Sequence, residues 1–437
     1  MNIKNILSEI KDQYLEDDRD PDTGKLRPWI VAFSGGKDST MLLQLVWVAI
    51  HSLSKEHRRR KIYVICNNTL VENPKIIDYV ERVLDKVEVA AKKQRMPVEV
   101  QRTTPALEDS FWVNLIGKGY PAPNRVFRWC TERLKISPTT RFIVDKIKNN
   151  GRVILLLGTR KAESENRKRS MEKHEVKGER LSKHQLPNAY VYSPIKDVST
   201  DEVWIYLTQV PSPWGASNRE LINIYKGANE GDCPLVMDKM TPACGSSRFG
   251  CWVCTVVSKD KSMAGLVANG ETWMEPLLEF RDFLADSRED TSAREKTRRN
   301  GSTNAMGPYK PPFRAEILKR LLTVQKEIHL TEPTLRLIHY QELEAIQVLW
   351  NRDDIFDQEV PAIYADVYNK PLLISDEKRS RIQREQRTLK RVCSDEPGYY
   401  ELLNQLHELQ RSKGVLMNKR EIRDAIESHI ERFLDKS

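Results

Sequence analysis

Short apolar runs alternate with amphipathic segments over the first half of the chain. The apolar runs predict buried strands at 28–34, 61–68, 98–105 and 152–160. Residues 38–53 and 73–94 carry apolar positions at helical spacing between them. Strands that alternate with helices predict an α/β fold, a parallel twisted sheet with helices on both faces.

Polar loops follow several of the predicted strands. They are SGGKDS (34–39), NNTLVENP (67–74) and GTRKAESENRKR (158–169). The carboxyl ends of parallel strands meet at one edge of a sheet, and ligands of such sheets bind there. We therefore expect these loops to form one site.

The loop 34–39 has the parts of an anion-binding site. Its two glycines expose backbone N–H groups ahead of a predicted helix, whose N-terminus favours negative charge. Ser34 and Ser39 add hydroxyls, Lys37 adds a charge, and Asp38 suits a helix cap or a Mg²⁺ partner. The spacing is not that of the GxxxxGK[ST] loop. A simple glycine turn with an N-cap is the alternative interpretation.

Charge and composition add a modest indication of a polyanionic partner. Lys and Arg number 71 against 62 Asp and Glu, a formal net charge of +9. Basic stretches at 160–184 and 378–391 could track a nucleic-acid backbone, although a solvated helix face would look the same. The N-terminal segment lacks an apolar signal-peptide core, and the longest apolar run, 41–50, is too short for a bilayer. We expect a cytoplasmic protein without disulfides.

Four of the seven cysteines cluster in a C-x₁₀-C-x₆-C-x₂-C pattern. They are Cys233, Cys244, Cys251 and Cys254. Closely spaced thiolates in a reducing compartment favour a metal site over scattered structural cysteines. The spacing alone fits zinc and [4Fe–4S] about equally.

The loop SGGKDS closely resembles the PP-loop of ATP pyrophosphatases, in which ATP is split between its α- and β-phosphates. Three further stretches resemble the phosphoadenylyl-sulfate reductase branch: RWCTERLKISP (128–138), GTRKAESENR (158–167) and SPIKDVSTDEVWIYL (193–207). The resemblance implies that ATP and Mg²⁺ are bound by Ser34, Gly35, Gly36, Lys37, Asp38, Ser39, Arg160 and Arg167. Arginines after a buried strand also suit bidentate phosphate contacts.

The combination of this domain, the cysteine quartet and a basic helical C-terminal half resembles the DndC family of DNA phosphorothioation sulfurtransferases and its SspD-type counterpart. The resemblance implies replacement of a non-bridging oxygen of a DNA backbone phosphate by sulfur. It also implies a [4Fe–4S] cluster on the four cysteines, a cysteine desulfurase as sulfur donor, and further phosphorothioation proteins as partners.

Catalytic roles are expected for Cys130, Lys37, Asp38 and Arg160. Arg128, Arg133 and Lys135 stand near Cys130, and positive neighbours lower the pKa of a thiol. Cys130 could therefore carry sulfur as a persulfide, with cluster-bound sulfur as the other possible donor. A small buried side chain is the alternative interpretation of Cys130.

The sequence predicts four segments and leaves three rival functions open. The segments are a PP-loop domain (1–215), a cysteine-rich iron–sulfur segment (216–285), a flexible linker (286–312) and a basic helical region (313–437). The rivals are a phosphoadenylyl-sulfate or adenylyl-sulfate reductase, a cluster-containing tRNA thiolase, and a zinc-stapled nucleic-acid-binding module without activity.

Overall fold

The computed structural model describes most of the chain up to residue 372. The described residues are 2–17, 19–175, 179–228, 250–298, 306–353, 355 and 357–372, with scattered residues from 388 to 406. The chain divides into two compact units, Met1–Ile346 and Gln347–Ser437. The sheet and every site discussed below belong to the first unit.

Six strands of the described residues form one sheet in the order β3-β2-β1-β4-β6-β5. The strands are β1 (Trp29–Ala32), β2 (Ile62–Asn67), β3 (Val98–Thr103), β4 (Val153–Leu156), β5 (Leu181–Lys183) and β6 (Ala189–Tyr192). All neighbouring pairs are parallel except β5 and β6, which are antiparallel. The chain order reverses beside β1, so the edge beyond β1 and β4 is a topological switch point.

The helices connect the strands and continue beyond the sheet. In the first half they are α1 (Ile3–Leu15), α2 (Lys37–His51), α3 (Pro74–Gln94), α4 (Ser137–Asn150), α5 (Glu165–His174), α6 (Thr200–Gln209) and α7 (Asn218–Gly227). They continue as α8 (Lys261–Ala268), α9 (Glu275–Asp286), α10 (Pro311–Ile328), α11 (Tyr340–Arg352) and α12 (Val360–Tyr368). Two π-helices, Val113–Gly117 and Thr131–Ile136, lie between β3 and α4. No helix in the described part of the chain is long and apolar enough to cross a membrane.

Hydrophobic side chains cover both faces of the sheet, as the sequence predicts. Successive side chains of a strand point to opposite faces. Trp29 and Val31 of β1 accordingly join the large core under α2, α3 and α6. Ile30 joins a smaller core that includes Ile143 of α4. The predicted α/β fold with a mostly parallel sheet and helices on both faces is confirmed.

The sheet also contains elements that the apolar pattern did not predict. The basic segment 161–187 contributes α5 and the edge strand β5. Within the predicted linker 286–312, Tyr309 is 1% exposed and its hydroxyl bonds that of Ser287 at 2.6 Å. The division into four segments stays a prediction. In the second unit, Trp350 is fully buried and Gln347 caps α12 through the amide of Val360.

Candidate functional site

The loop 34–39 connects β1 to α2 at the carboxyl edge of the sheet. Gly35 has a φ of +73°, a left-handed conformation that side chains other than glycine rarely adopt. A Cβ at Gly35 would lie 2.1 Å from Cγ2 of Val80, on α3. Gly158, just after β4, lies close to the first turn of α2. A Cβ added at Gly158 would lie 3.0 Å from the carbonyl of Asp38. Both glycines therefore allow the loop to pack tightly.

The first turn of α2 presents backbone N–H groups and hydroxyls towards the loop. Gly36 precedes the helix at the N-cap position and has no side chain that could accept from the first N–H groups. The hydroxyls of Ser34 and Ser39 lie 3.2 Å apart, and Ser39 also donates to the carbonyl of Gly36. The N–H groups of this turn, the helix dipole and these hydroxyls together suit a phosphate group.

Tyr225 of α7 supports this turn from the side. The amide of Lys37 donates to its hydroxyl at 3.4 Å, and the Lys37 ammonium lies 5.6 Å from its ring centroid. The ring of Trp204 packs against it edge-on, with the two centroids 4.9 Å apart. Burial raises the pKa of Tyr225 to about 12, so the hydroxyl stays protonated. Sequence reasoning missed Tyr225, because nothing in its local pattern links it to a loop far away along the chain.

Asp38 is held between two cations. Its carboxylate accepts a hydrogen bond from Nε of Arg160 at 2.7 Å and lies 3.3 Å from the Lys37 ammonium. Arg160 is 1% exposed and also donates to the carbonyl of Val198 and to the hydroxyl of Thr200. The structure thus joins Lys37, Asp38 and Arg160, three predicted site residues. Direct contact between Arg160 and nucleotide phosphate stays a prediction.

Arg167 lies further out, on α5. Its side chain is 46% exposed, and its guanidinium lies 3.6 Å from the carboxylate of Glu163. Its amide donates to the hydroxyl of Ser164, which caps α5. A phosphate contact of Arg167 stays a prediction. The basic run 378–391 lies almost wholly outside the described residues.

A second set of functional groups lies where β2 ends. Residue Cys251 pairs with Glu72 in an isolated antiparallel bridge, and the amide of Trp252 donates to the carbonyl of Val71 at 3.0 Å. The sulfur of Cys251 lies 3.4 Å from the hydroxyl of Thr69. The loop that follows β2 therefore holds the C-x₂-C segment at the same edge of the sheet as the loop 34–39.

The segment that carries Cys130 reaches the same place. The side-chain amide of Asn67, the last residue of β2, donates to the carbonyl of Leu134 at 2.7 Å. The π-helix Thr131–Ile136 bonds residues five apart, which brings Lys135 one turn beyond Cys130. The Lys135 ammonium lies 4.0 Å from the carboxylate of Glu72. Sequence reasoning placed Lys135 near Cys130 only in the sequence, since α-helical spacing would turn it to another face.

Three cysteines influence the titration of Lys135. The pKa of Lys135 is raised, first by the charge of Cys251 and then by Glu72, Cys254 and Cys130. Burial raises the pKa of Cys251 to about 12. Burial, followed by the charge of Cys254, also raises the pKa of Cys130. The net lowering of the Cys130 pKa that its positive neighbours led us to expect is therefore not found.

The positive neighbours of Cys130 act elsewhere. Arg128 is exposed, and Arg133 forms an ion pair with Asp109 at 2.6 Å. Lys135 lowers the pKa of Cys130, but burial outweighs its effect.

The cysteines that the structure describes fit a thiolate-bound metal or cluster. Cys251 and Cys254 are free thiols in one turn, in which the amide of Cys254 donates to the carbonyl of Cys251 at 3.0 Å. Such a turn presents two soft ligands to one centre. Cys233 and Cys244 lie outside the described residues. Within the described part, no group of three or more His, Cys, Asp or Glu side chains is arranged to hold a metal ion.

Comparison with known protein families decides which domain this is. The profile of the phosphoadenosine phosphosulfate reductase domain matches residues 28–256, slightly more than half of the chain. The chain belongs to the phosphoadenosine phosphosulfate reductase domain family. The match includes the loop 34–39, Cys130, and the pair Cys251 and Cys254.

An uncharacterized protein of Methanocaldococcus jannaschii is similar in sequence to this chain. It is 31% identical over 188 residues, which make up 43% of the present chain. The matched part spans only 33% of that relative's own length.

Two solved structures are similar at low identity. A phosphoadenylyl-sulfate reductase from Candida auris, in complex with phosphate, is 12% identical with a TM-score of 0.29. The match covers 49% of this chain and 87% of the reductase chain. The U34-tRNA thiolase NcsA from Methanococcus maripaludis, with its [4Fe–4S] cluster, is 14% identical with a TM-score of 0.30. The match covers 69% of this chain and 84% of the thiolase chain.

The family match confirms the predicted reductase-like PP-loop domain. A fold does not determine an activity, so the assignment to the DNA phosphorothioation branch stays a prediction. The residues at the edge of the sheet, and not the fold, must carry the argument about function.

Proposed function

We propose that the protein is an ATP-dependent sulfurtransferase that adenylylates a DNA backbone phosphate and replaces one of its non-bridging oxygens by sulfur. One observation carries the proposal. The loop 34–39 and the thiols of Cys130, Cys251 and Cys254 lie at the ends of the neighbouring strands β1 and β2. An anion site suited to phosphate thus adjoins a group of sulfur nucleophiles.

The loop would bind the outgoing pyrophosphate. Backbone N–H groups of Gly36 and the first turn of α2, with the hydroxyls of Ser34 and Ser39, supply donors for its oxygens. Lys37 adds a positive charge, and Asp38 offers a carboxylate that would hold a Mg²⁺, which would offset the negative charge of the phosphates. Arg160 holds the orientation of that carboxylate from the buried side.

ATP makes the chemistry feasible because an oxygen of a phosphodiester is a poor leaving group. A non-bridging oxygen of the DNA phosphate attacks the α-phosphorus of ATP, and pyrophosphate departs. The backbone phosphorus then carries AMP as a leaving group. Sulfur attack at that phosphorus expels AMP, which takes the original DNA oxygen with it.

Cys130, which lies outside the quartet, would deliver the sulfur. As a persulfide, its terminal sulfur would attack the backbone phosphorus and form a P–S–S–Cys130 link. A thiol reductant then attacks the Cys130 sulfur, and the phosphorothioate leaves with the electron pair of the broken S–S bond. A second reductant thiol restores Cys130. We propose a cysteine desulfurase as the source of the persulfide sulfur.

Cys251 and Cys254, with Cys233 and Cys244, would hold a [4Fe–4S] cluster. When bound, such a cluster supplies redox chemistry or a site for sulfur, and its four thiolate ligands match the quartet. Lys135 provides a positive charge beside this group of thiols.

The location of the transferred sulfur tests the proposal. The full chain, purified without oxygen, is incubated with ATP, Mg²⁺, a desulfurase, cysteine and a thiol reductant, with DNA or tRNA as acceptor. The acceptor is digested with nucleases and analysed by mass spectrometry. We expect phosphorothioate dinucleotides from DNA, formed only with ATP.

Other outcomes would contradict the proposal in recognisable ways. Sulfur in tRNA bases and none in DNA would identify a tRNA thiolase. Sulfite formed from phosphoadenylyl sulfate without ATP would identify a reductase. One zinc per colourless chain, with no turnover of ATP, would identify a binding module.

A further inference from the structure

A short exposed loop stands directly before Cys130. Arg125, Val126, Phe127 and Arg128, here called the RVFR loop, are all exposed, although the next residue, Trp129, is buried. Val126 is 96% exposed and Phe127 45%. A single exposed apolar residue is ordinary, but two adjacent ones between two arginines need an explanation.

The loop is held in one shape by hydrogen bonds of its own. The side-chain oxygen of Asn124 accepts from the amides of Val126 and Phe127, at 2.9 and 2.7 Å. At the other end, the amide of Thr131 donates to the carbonyl of Arg128. The exposed side chains are therefore presented on a defined backbone.

The base of the loop is anchored to the rest of the first unit. The carbonyl of Pro123 accepts from the hydroxyl of Thr255 at 2.6 Å and from the guanidinium of Arg288. The amide of Ala122 donates to the hydroxyl of Tyr309 at 3.2 Å. Thr255 directly follows Cys254, so the anchor also connects the loop to the cysteine segment.

Phe127 belongs to a series of aromatic rings. Its centroid lies 6.3 Å from that of Tyr120, which contacts Trp129 at 5.7 Å. Trp129 in turn stacks on Phe111, with centroids 5.3 Å apart and planes inclined by 24°. This packing supports one side of Phe127, and the exposed part of its ring is free to stack on a planar group.

The two arginines give the loop a positive charge. The guanidinium groups of Arg125 and Arg128 have no hydrogen-bond or ion-pair partner among the described residues, whereas that of nearby Arg133 is paired with Asp109. Arginines spaced around an exposed aromatic ring match the chemistry of an unpaired nucleotide: guanidinium groups bind phosphates, and the ring stacks on a base. Stacking on a base face requires that the base be unpaired.

We propose that the RVFR loop binds an unpaired stretch of nucleic acid and brings its backbone to Cys130. The proposal rests on the proposed function, since it names the form of the substrate of the same site. It specifies a single-stranded or locally opened DNA segment, with one base on Phe127 and neighbouring phosphates on Arg125 and Arg128.

The test measures binding of the full chain to fluorescent oligonucleotides by anisotropy over a range of salt concentrations. A single strand and its duplex are compared for the wild type, Phe127→Ala, and the double variant Arg125→Ala/Arg128→Ala. The matched control is Lys55→Ala/Arg59→Ala. It also removes two exposed positive charges, but it lies before β2, at the opposite edge of the sheet.

We expect the wild type to prefer the single strand. Phe127→Ala should weaken single-strand binding about 5- to 150-fold, the usual loss for one stacked base. The double variant should reduce the slope of log affinity against log salt by about 1.4, because each phosphate contact on a single strand contributes about 0.7. The control pair should keep the wild-type slope.

Three outcomes would overturn the inference. The first is wild-type single-strand affinity in Phe127→Ala, and the second is an equal loss of slope in the control pair. The third is unchanged DNA affinity with lost sulfur uptake from the desulfurase, which would identify the loop as a protein-docking surface. If the wild type binds no nucleic acid at all, the proposed function fails first, which is distinguishable from a failure of the loop alone.

Discussion

Replacement of Arg160 by methionine tests how the nucleotide loop is held. In the structure the guanidinium is 1% exposed and donates to Asp38, to the carbonyl of Val198 and to Thr200. Methionine keeps much of the volume and removes every donor. The Asp38 carboxylate would then lose its partner on the buried side, and the Val198 carbonyl would lose its donor.

The cost of this change follows from burial. Removing one partner of a buried ion pair lowers the free energy of unfolding by about 3–5 kcal/mol. We expect the lower end of that range, about 3 kcal/mol, because the Asp38 side chain is 21% exposed and keeps the Lys37 ammonium at 3.3 Å. Arg160→Lys retains a charge but cannot make all of these hydrogen bonds, so we expect an intermediate loss of about 1–3 kcal/mol. Arg167→Met is the matched control. Its side chain is 46% exposed, and we expect a change within about 0.5 kcal/mol.

Urea unfolding without nucleotide, followed by tryptophan emission, measures these differences, because Trp29 and Trp204 lie in the main core. A double-mutant cycle with Asp38→Asn should show that the two losses are coupled. The reasoning would be refuted if Arg160→Met unfolds like the wild type yet binds ATP far more weakly. Arg160 would then be a phosphate ligand and not a support for Asp38.

Three further substitutions test other parts of the account. Gly35→Ala should lower the free energy of unfolding by at least about 1–2 kcal/mol for the left-handed φ alone, as measured by urea unfolding. Val80→Ala, added to Gly35→Ala, should relieve only the further clash of the new Cβ with the Val80 side chain. Burial raises the pKa of Glu342 to about 6, so the folded protein keeps a proton that the unfolded chain releases above its usual pKa of 4.5. The contribution of Glu342 to the free energy of unfolding should therefore be fully present below about pH 4.5 and be lost, by about 2 kcal/mol, as the pH rises through about 6. Glu342→Gln should abolish this loss in unfolding curves recorded across the pH range. Asn67→Ala removes the hydrogen bond to the Leu134 carbonyl and should lower the free energy of unfolding by about 1 kcal/mol. Amide hydrogen exchange in the π-helix that follows Cys130 should become faster. Unchanged exchange would show that this bond does not hold the segment.

The strands and the nucleotide loop could be predicted because their signals are local. The apolar runs at 28–34 and 152–160 correspond to β1 and β4, whose side chains are buried on both faces. The loop 34–39 has a fixed spacing of glycines and hydroxyls, so its position at the sheet edge followed from the strand before it.

The remaining features depend on contacts between distant parts of the chain. The hydrogen bonds of buried Arg160 require Val198 and Thr200, which follow β6 in the sequence. The position of Lys135 beside Cys130 requires a π-helix, which no α-helical or strand periodicity reveals. β5 is only three residues long and contains Ser and Lys, so it carries no apolar run.

The fate of the DNA oxygen tests the central claim most directly. DNA with oxygen-18 at the non-bridging positions of its backbone phosphates is converted by the full chain with unlabelled ATP, and the AMP is analysed by mass spectrometry. The account predicts one oxygen-18 atom in AMP for each phosphorothioate formed, because the DNA oxygen attacks the α-phosphorus of ATP and leaves with AMP. AMP without the label, formed alongside phosphorothioate, would contradict adenylylation of the backbone phosphate.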